Sequence, residues 1–178
     1  LGVSEATFTA FINRIERDYC YDPQHPNPYH TSVHAADVVQ AVGHFLVVPR
    51  LAHIMDHVDA FSVLVSAIVH DFRHPGVNNN FLIKTADPIA LRYNDESVLE
   101  NFHVAEAFAV MSQPRYNIMA ALPQEQRTPA RFTIIKTVLA TDLSQGSRYV
   151  NAFKAKAGAT NLGETDEDKL LIMQVCRA

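Results

Sequence analysis

Ala67 to Asn80 reads A-I-V-H-D-F-R-H-P-G-V-N-N-N, an apolar helical run that ends in a cluster of metal-binding side chains. His70, Asp71 and His74 form that cluster. Imidazole nitrogen and carboxylate oxygen are ligands that Zn, Mn and Mg accept, and an adjacent His and Asp can reach one centre from the last turn of a helix. Pro75 and Gly76 are expected to stop the helix just beyond them. A capped helix end with a satisfied core histidine would leave the same local signature, so the reading depends on what else converges here.

Upstream, F-S-V-L-V-S-A-I-V-H-D (Phe61 to Asp71) is apolar almost throughout, the pattern of a helix buried on most sides, and Asp59 is expected to open it. Farther back, V-H-A-A-D-V-V-Q-A-V-G-H-F-L-V-V is helical from Thr31 until Pro49, which sets His30 at its entrance and His34 one turn on. The prolines of D-P-Q-H-P-N-P (Asp22 to Pro28) make the preceding segment a loop that delivers Tyr29 and His30. At the start of the chain, Ser4 can cap a helix whose Phe8, Phe11, Ile12 and Ile15 form one buried stripe. Downstream, Asp87-Pro88 starts a short helix to about Tyr93, and Ser97 to Glu100 reads as a capping box opening a longer one through Met111. Thr128-Pro129 is expected to begin another, with Phe132, Ile135, Val138 and Leu139 inward and Thr141-Asp142 at its end. Thr165 to Asp168 begins the last. Gly158 to Glu164 reads as a loop. Strand alternation is absent, so the expected fold is an all-α, single-core array of about seven to nine helices.

Composition narrows the chemistry. With 178 residues, 48% of them hydrophobic, the chain can bury one sizeable core, and one domain or a piece of one is expected. A net charge of -4 without basic runs argues against a nucleic-acid or anionic-membrane surface, so an anionic substrate needs local help from metal or Arg. Cys20 and Cys176 have no C-x-x-C spacing, which argues against a thiolate zinc site and for a reduced, cytoplasmic setting. No apolar run reaches the ~18 residues of a membrane span, and no signal-peptide pattern is present.

Three motifs stand in order: Y-H-T-S-V-H-A-A-D-V (Tyr29 to Val38), H-D-x-x-H-x-x-x-x-N (His70, Asp71, His74, Asn79) and Y-N-D-E-S-V-L-E-N (Tyr93 to Asn101). With these the chain strongly resembles the catalytic domain of the class I 3',5'-cyclic nucleotide phosphodiesterases, an HD-type helical domain, from its first helix through A-T-D-L-S (Ala140 to Ser144). The resemblance implies metal-dependent hydrolysis of a small cyclic nucleotide, cAMP or cGMP, to its 5'-monophosphate, in signal transduction. It implies His34, His70 and Asp71 as ligands of a tightly held Zn2+, with Asp71 bridging to a water-ligated Mg2+ or Mn2+. His30 matches the general acid, while His74, Glu100 and Thr141 match residues that orient metal-bound water. Tyr29, Asp142 and Leu143 match positions lining the nucleotide pocket. In the family a further Asp ligand, and a Gln and a Phe that grip the purine, follow the helix that here ends Q-V-C-R-A. Residues 1–178 are therefore expected to be an incomplete catalytic domain within a longer polypeptide, and purine preference and oligomeric state are not legible.

Each assignment has a plainer alternative. His53 and His57 repeat the His30/His34 spacing with no adjoining motif and are expected on the surface. Glu100 is explained equally by the capping box, Thr141 by a bond back to its own helix, and Asn79 by the turn after Pro75-Gly76. His44 and His103 are expected to pack or to orient water, and His25 to face solvent. Two other functions compete: a broader HD-type phosphohydrolase, which leaves Tyr29-His30 and Asn94 to Asn101 unexplained, and a catalytically dead helical interaction fragment.

Overall fold

The computed structural model describes residues 2–19, 27–158 and 161–176. Among them are ten α-helices, one more than the upper expectation, two short 3-10 turns at Pro114–Tyr116 and Ile118–Ala121, and no strand. The helices are α1 Glu5–Tyr19, α2 Ser32–Leu46, α3 Pro49–Ile54, α4 His57–Val69, α5 Asn79–Lys84, α6 Pro88–Arg92, α7 Val98–Met111, α8 Gln124–Leu139, α9 Gly146–Lys156 and α10 Asp166–Val175. The expected loop from Asp22 to Pro28 and His25 lie outside the described residues except for Asn27 and Pro28. So does part of the loop from Gly158 to Glu164.

The central helix is α4, with α8 along one side and α2 along another. Its two serines are completely buried because each hydroxyl donates to the carbonyl four residues back, Ser62 to Val58 and Ser66 to Ser62, so neither needs an external partner. Val65 and Val69 join Phe11, Ile15 and Tyr19 of α1, Val104 and Ala107 of α7, and Ile134 and Val138 of α8 in the main core. A smaller cluster joins Val42 of α2, Val63 and Ala67 of α4, and Met173 of α10. A second one joins Leu82, Ala90, Val98 and Leu99 across α5, α6 and α7.

Several helix boundaries follow local chemistry as read. The Ser4 hydroxyl accepts from Thr7 N, Asp87 caps α6 through Ile89 N, and Thr165 caps α10 through Asp168 N. Others are corrected. Asp56, not Asp59, caps α4: its carboxylate accepts from Val58 N and Asp59 N, while Asp59 returns a bond to Asp56 N. Pro129 lies inside α8 rather than at its start. The first turn forms earlier because Arg127 ties it to the carbonyls of Leu122 and Ala120. The inward stripe of α8 is Ala130, Ile134, Thr137 and Val138, leaving Phe132 51% exposed beneath Lys136. Phe8 of α1 is also exposed, as is His44 of α2, whose ring meets that of Phe45 at 6.4 Å between centroids.

Candidate functional site

The helix that carries the cluster ends earlier than Pro75-Gly76. α4 closes at Val69, His70 is its cap, and Phe72 N and His74 N bond to the carbonyls of Val69 and Asp71 in a tight turn. Arg73, at φ 61°, makes the reversal in the left-handed region, where a side chain other than Gly is uncommon. It is held there by ion pairs to Asp18 of α1 (2.9 Å) and to Glu106 of α7. The turn thus swings His70, Asp71 and His74 toward α2.

Opposite them α2 presents His34. Its Nε2 is 3.1 Å from His70 Nε2 and 3.3 Å from Asp71 Oδ2, and the third side of the triangle, His70 Nε2 to Asp71 Oδ2, is 3.2 Å. A tetrahedral ion with bonds of ~2.0 to 2.1 Å spaces its ligand atoms roughly 3.3 to 3.4 Å apart, so this triangle is close to the one a zinc ion requires. Its chemistry fits as well. His70 Nδ1 lies 3.0 Å from the Ala67 carbonyl, which can only accept, so the ring proton sits on Nδ1 and Nε2 offers a lone pair to the triangle. Asp71 offers another. The third corner needs either an N–H on His34 or a shared cation, and a full charge on His34 is disfavoured because burial, then the neighbouring His70, lower its pKa.

A second group shares Asp71. His74, His103 and Asp71 bring potential ligand atoms within 4.8 Å of one another. His103 is buried, gives its Nδ1 proton to the Phe72 carbonyl at 2.7 Å and faces Asp71 Oδ1 with Nε2 at 3.9 Å. His74 Nδ1 accepts from Gly76 N at 2.9 Å, which leaves the proton of its neutral ring on Nε2. Burial pushes the pKa of His103 down to about 3, and burial followed by the His30 charge pushes His74 down to about 4, so both are neutral at pH 7. Burial would raise the Asp71 carboxyl, but the imidazoles around it, His70 foremost and then His103 and His74, outweigh it and hold Asp71 below the usual carboxylate range.

His30 joins from the loop before α2. Its ring stacks on His74 at 3.7 Å between centroids and meets His34 edge-on at 6.1 Å. Tyr29 packs against both His30 and His34 and is 62% exposed. Five of the residues singled out from sequence, His30, His34, His70, Asp71 and His74, thus surround one point.

The others stand farther off or are differently employed. Glu100 is not in a capping box with Ser97. Ser97 has left-handed φ and ψ and donates to Asp142 Oδ2 (2.7 Å), so the first turn of α7 is capped by Asn79, whose Oδ1 accepts from Leu99 N. Asn79 also donates to Glu100 Oε2 at 3.0 Å, which corrects its assignment to the Pro75-Gly76 turn. Burial raises the Glu100 pKa, the Asn79 bond opposes this, and Asp142 and Asp71 add to it. Thr141 bonds back to the Val138 carbonyl, Asp142 is buried between Ser97 and Ser144 N, and Leu143 is 91% exposed.

Sequence reading passed over Asn27. Its Oδ1 accepts from Tyr29 N and His30 N, and its Nδ2 faces His30 Nδ1, His74 Nδ1 and the His74 carbonyl at 3.3 to 3.4 Å. The signal was Asn-Pro two residues before Tyr-His, the composition of an Asx turn.

Residues 29–177 match the family model described as 3'5'-cyclic nucleotide phosphodiesterase. The chain belongs to that family. It is 39% identical over 152 residues to 3',5'-cyclic-AMP phosphodiesterase 4 of Dictyostelium discoideum, covering 85% of this chain and 14% of that protein. It is 32% identical over 173 residues to dual specificity calcium/calmodulin-dependent 3',5'-cyclic nucleotide phosphodiesterase 1 of Drosophila melanogaster, 97% of this chain and 20% of the relative. Against the 1B phosphodiesterase of Bos taurus with the same dual-specificity description, identity is 34% over 161 residues, 90% and 29%. The chain therefore spans between 14% and 29% of the length of these phosphodiesterase relatives. Among its described residues no helix is long and apolar enough to cross a membrane.

Proposed function

We propose that residues 1–178 are part of the catalytic domain of a longer, cytoplasmic enzyme that hydrolyses 3',5'-cyclic nucleotides to nucleoside 5'-monophosphates. The observation that carries this reading is the triangle of His34 Nε2, His70 Nε2 and Asp71 Oδ2, with sides of 3.1 to 3.3 Å, in a chain of the cyclic nucleotide phosphodiesterase family. In this reading His34, His70 and Asp71 would hold Zn2+, and Asp71 would also serve a Mg2+ or Mn2+. Divalent ions there supply Lewis acidity toward the phosphate oxygens and acidify water near neutral pH.

The chain's own groups do the rest. His74, neutral and with its proton on Nε2, is a fixed donor beside Asp71, and with Glu100 and Thr141 it orients water for in-line attack at phosphorus. His30, stacked on His74, gives its proton to the departing 3' oxygen, which otherwise leaves as an alkoxide. Tyr29, Asp142 and Leu143 line the nucleotide pocket, and the exposed faces of Tyr29 and Leu143 are apolar surface of the kind a nucleobase covers.

The test is direct. The whole protein, loaded with Zn2+ and Mg2+, is expected to convert cAMP or cGMP to the 5'-monophosphate, and the 178-residue chain is expected to take up Zn2+ in equilibrium dialysis. Metal uptake without turnover by the whole protein would leave a metal-binding helical module and refute the enzymatic reading.

A further inference from the structure

We infer that Asn27 is a positioning residue that fixes the His30 imidazole with its proton on Nε2, the nitrogen turned away from the loop. The inference rests on the reading of His30 as the proton donor.

Obligate donors fix the whole arrangement. The backbone amides of Tyr29 and His30 can only donate, and both bond to one end of the Asn27 side chain, at 3.1 and 3.0 Å. That end is the carbonyl oxygen, so the other is the amide nitrogen, and it can only donate. It lies 3.3 Å from His30 Nδ1. A nitrogen facing a pure donor presents its lone pair, and the proton of the neutral ring is then on Nε2. The same amide group is 3.3 Å from the His74 carbonyl and 3.4 Å from His74 Nδ1, a ring nitrogen that already accepts from Gly76 N. Asn27 therefore locks two stacked imidazoles in the same tautomer and in register with each other. Gly76, whose amide fixes the His74 tautomer, takes φ +83°, a conformation that other side chains rarely adopt.

Asn27→Asp separates positioning from scaffolding. The carboxylate still accepts from the Tyr29 and His30 amides, so the turn keeps its bonds, but it offers an acceptor where the amide offered a donor. The proton of His30 is then expected to move to Nδ1. Asn27→Ala offers neither, and a mixture of tautomers is expected.

The experiment is long-range 15N–1H correlation on the intact chain labelled at histidine, with His30 assigned by His30→Gln. The wild type is expected to show His30 protonated at Nε2, Asn27→Ala a mixture, and Asn27→Asp protonation at Nδ1, with the Tyr29 and His30 amides still protected from exchange in Asn27→Asp. A His30 pattern unchanged across all three, or Nδ1 protonation in the wild type, overturns the inference. In the whole protein, Asn27→Asp is expected to alter kcat on the order of 10-fold with KM and metal content held, because His30 must carry a second proton on Nδ1 before it can give one up from Nε2, and the amide donor opposes that proton where the carboxylate favours it. Should His30→Ala keep full turnover while the tautomer still switches, the reading of His30 as proton donor fails and the role of Asn27 in fixing its ring stands. Loss of turnover in His30→Ala with unaltered kcat in both Asn27 variants fails the inference alone.

Discussion

His30 and His34 stand four residues apart, and so do His53 and His57, yet the two pairs end in opposite surroundings. The first pair is half-buried, one ring stacked on His74 and the other a corner of the triangle with His70 and Asp71. The second pair is exposed. Helix geometry does not separate them, since each pair straddles a helix start: Thr31, before α2, and Asp56, before α4, both have extended backbone. What separates them is the element opposite. α2 faces the end of α4 just where the turn at 70–74 releases His70 and Asp71 with free lone pairs. Spacing proposes a pair of imidazoles, and only a second element carrying complementary ligands makes them a site.

The sharpest way to break that comparison is to remove the complementary ligand. Asp71→Ala is expected to abolish Zn2+ uptake by the chain in equilibrium dialysis and turnover by the whole protein, leaving His34 no better a ligand than His57. Zn2+ uptake equal to wild type in that variant would put the metal elsewhere.

His30→Ala cuts the first pair differently. It is expected to keep the metal and lose kcat by ~10² to 10⁴, because proton delivery is needed only in the transition state. A cyclic phosphodiester with a better leaving group is expected to recover much of that rate in His30→Ala and little in Asp71→Ala. Metal loss in the His30 variant would show that the acid and the ligand have been exchanged.

Acid sharpens the contrast further. His103 and His74 have pKa values of about 3 and about 4 in the folded chain, below the ~6.5 of a free imidazole, so the unfolded chain binds more protons through this window. Their contribution to stability is complete above about pH 6.5 and is lost as the pH falls toward 3. Asp71, held below its ordinary range, acts in the same direction, its contribution being lost only below about pH 3.8. In chelator, denaturant midpoints measured from pH 7 to pH 4 are expected to fall, and His103→Gln is expected to flatten the slope. A slope that His103→Gln leaves unchanged would assign it to other groups.

The smallest effect belongs to the control pair. His53→Ala and His57→Ala are expected to shift unfolding free energy by no more than about 0.5 kcal/mol and to leave Zn2+ uptake unaltered.

What was legible in the sequence was what neighbours in the chain decide. Ser4, Asp87 and Thr165 cap helices through donors two or three residues away, and short-range patterns reveal them. The His and Asp types of the cluster were legible for the same reason, but the end of their helix at Val69, ahead of Pro75-Gly76, was not. The capping box at Ser97 to Glu100 was misread because both side chains are claimed from afar, Ser97 by Asp142 and Glu100 by Asn79, while Asn79 takes over the cap. Asn79 and Leu99 stand 20 residues apart, a distance no local pattern spans. Pro129 misled likewise: proline marks a helix start only where nothing upstream has already formed a turn, and Arg127 had secured one.

Arg73 bonds 55 residues back to Asp18 and 33 residues forward to Glu106. The left-handed turn it holds therefore depends on two helices that the chain makes at different times. While the protein is being synthesised, α4 emerges with His70 and Asp71 at its end long before α7 supplies Glu106. Closing loops of that span costs entropy before it brings any contact, so the turn is expected to set only once α1 and α7 have both docked. A nascent chain released between residues 74 and 106 carries His34, His70 and Asp71, but not the full clamp that aims them. If the triangle holds a metal as proposed, uptake is expected to follow docking of α7, so that an ion meets the three donors only once the helices around them have packed.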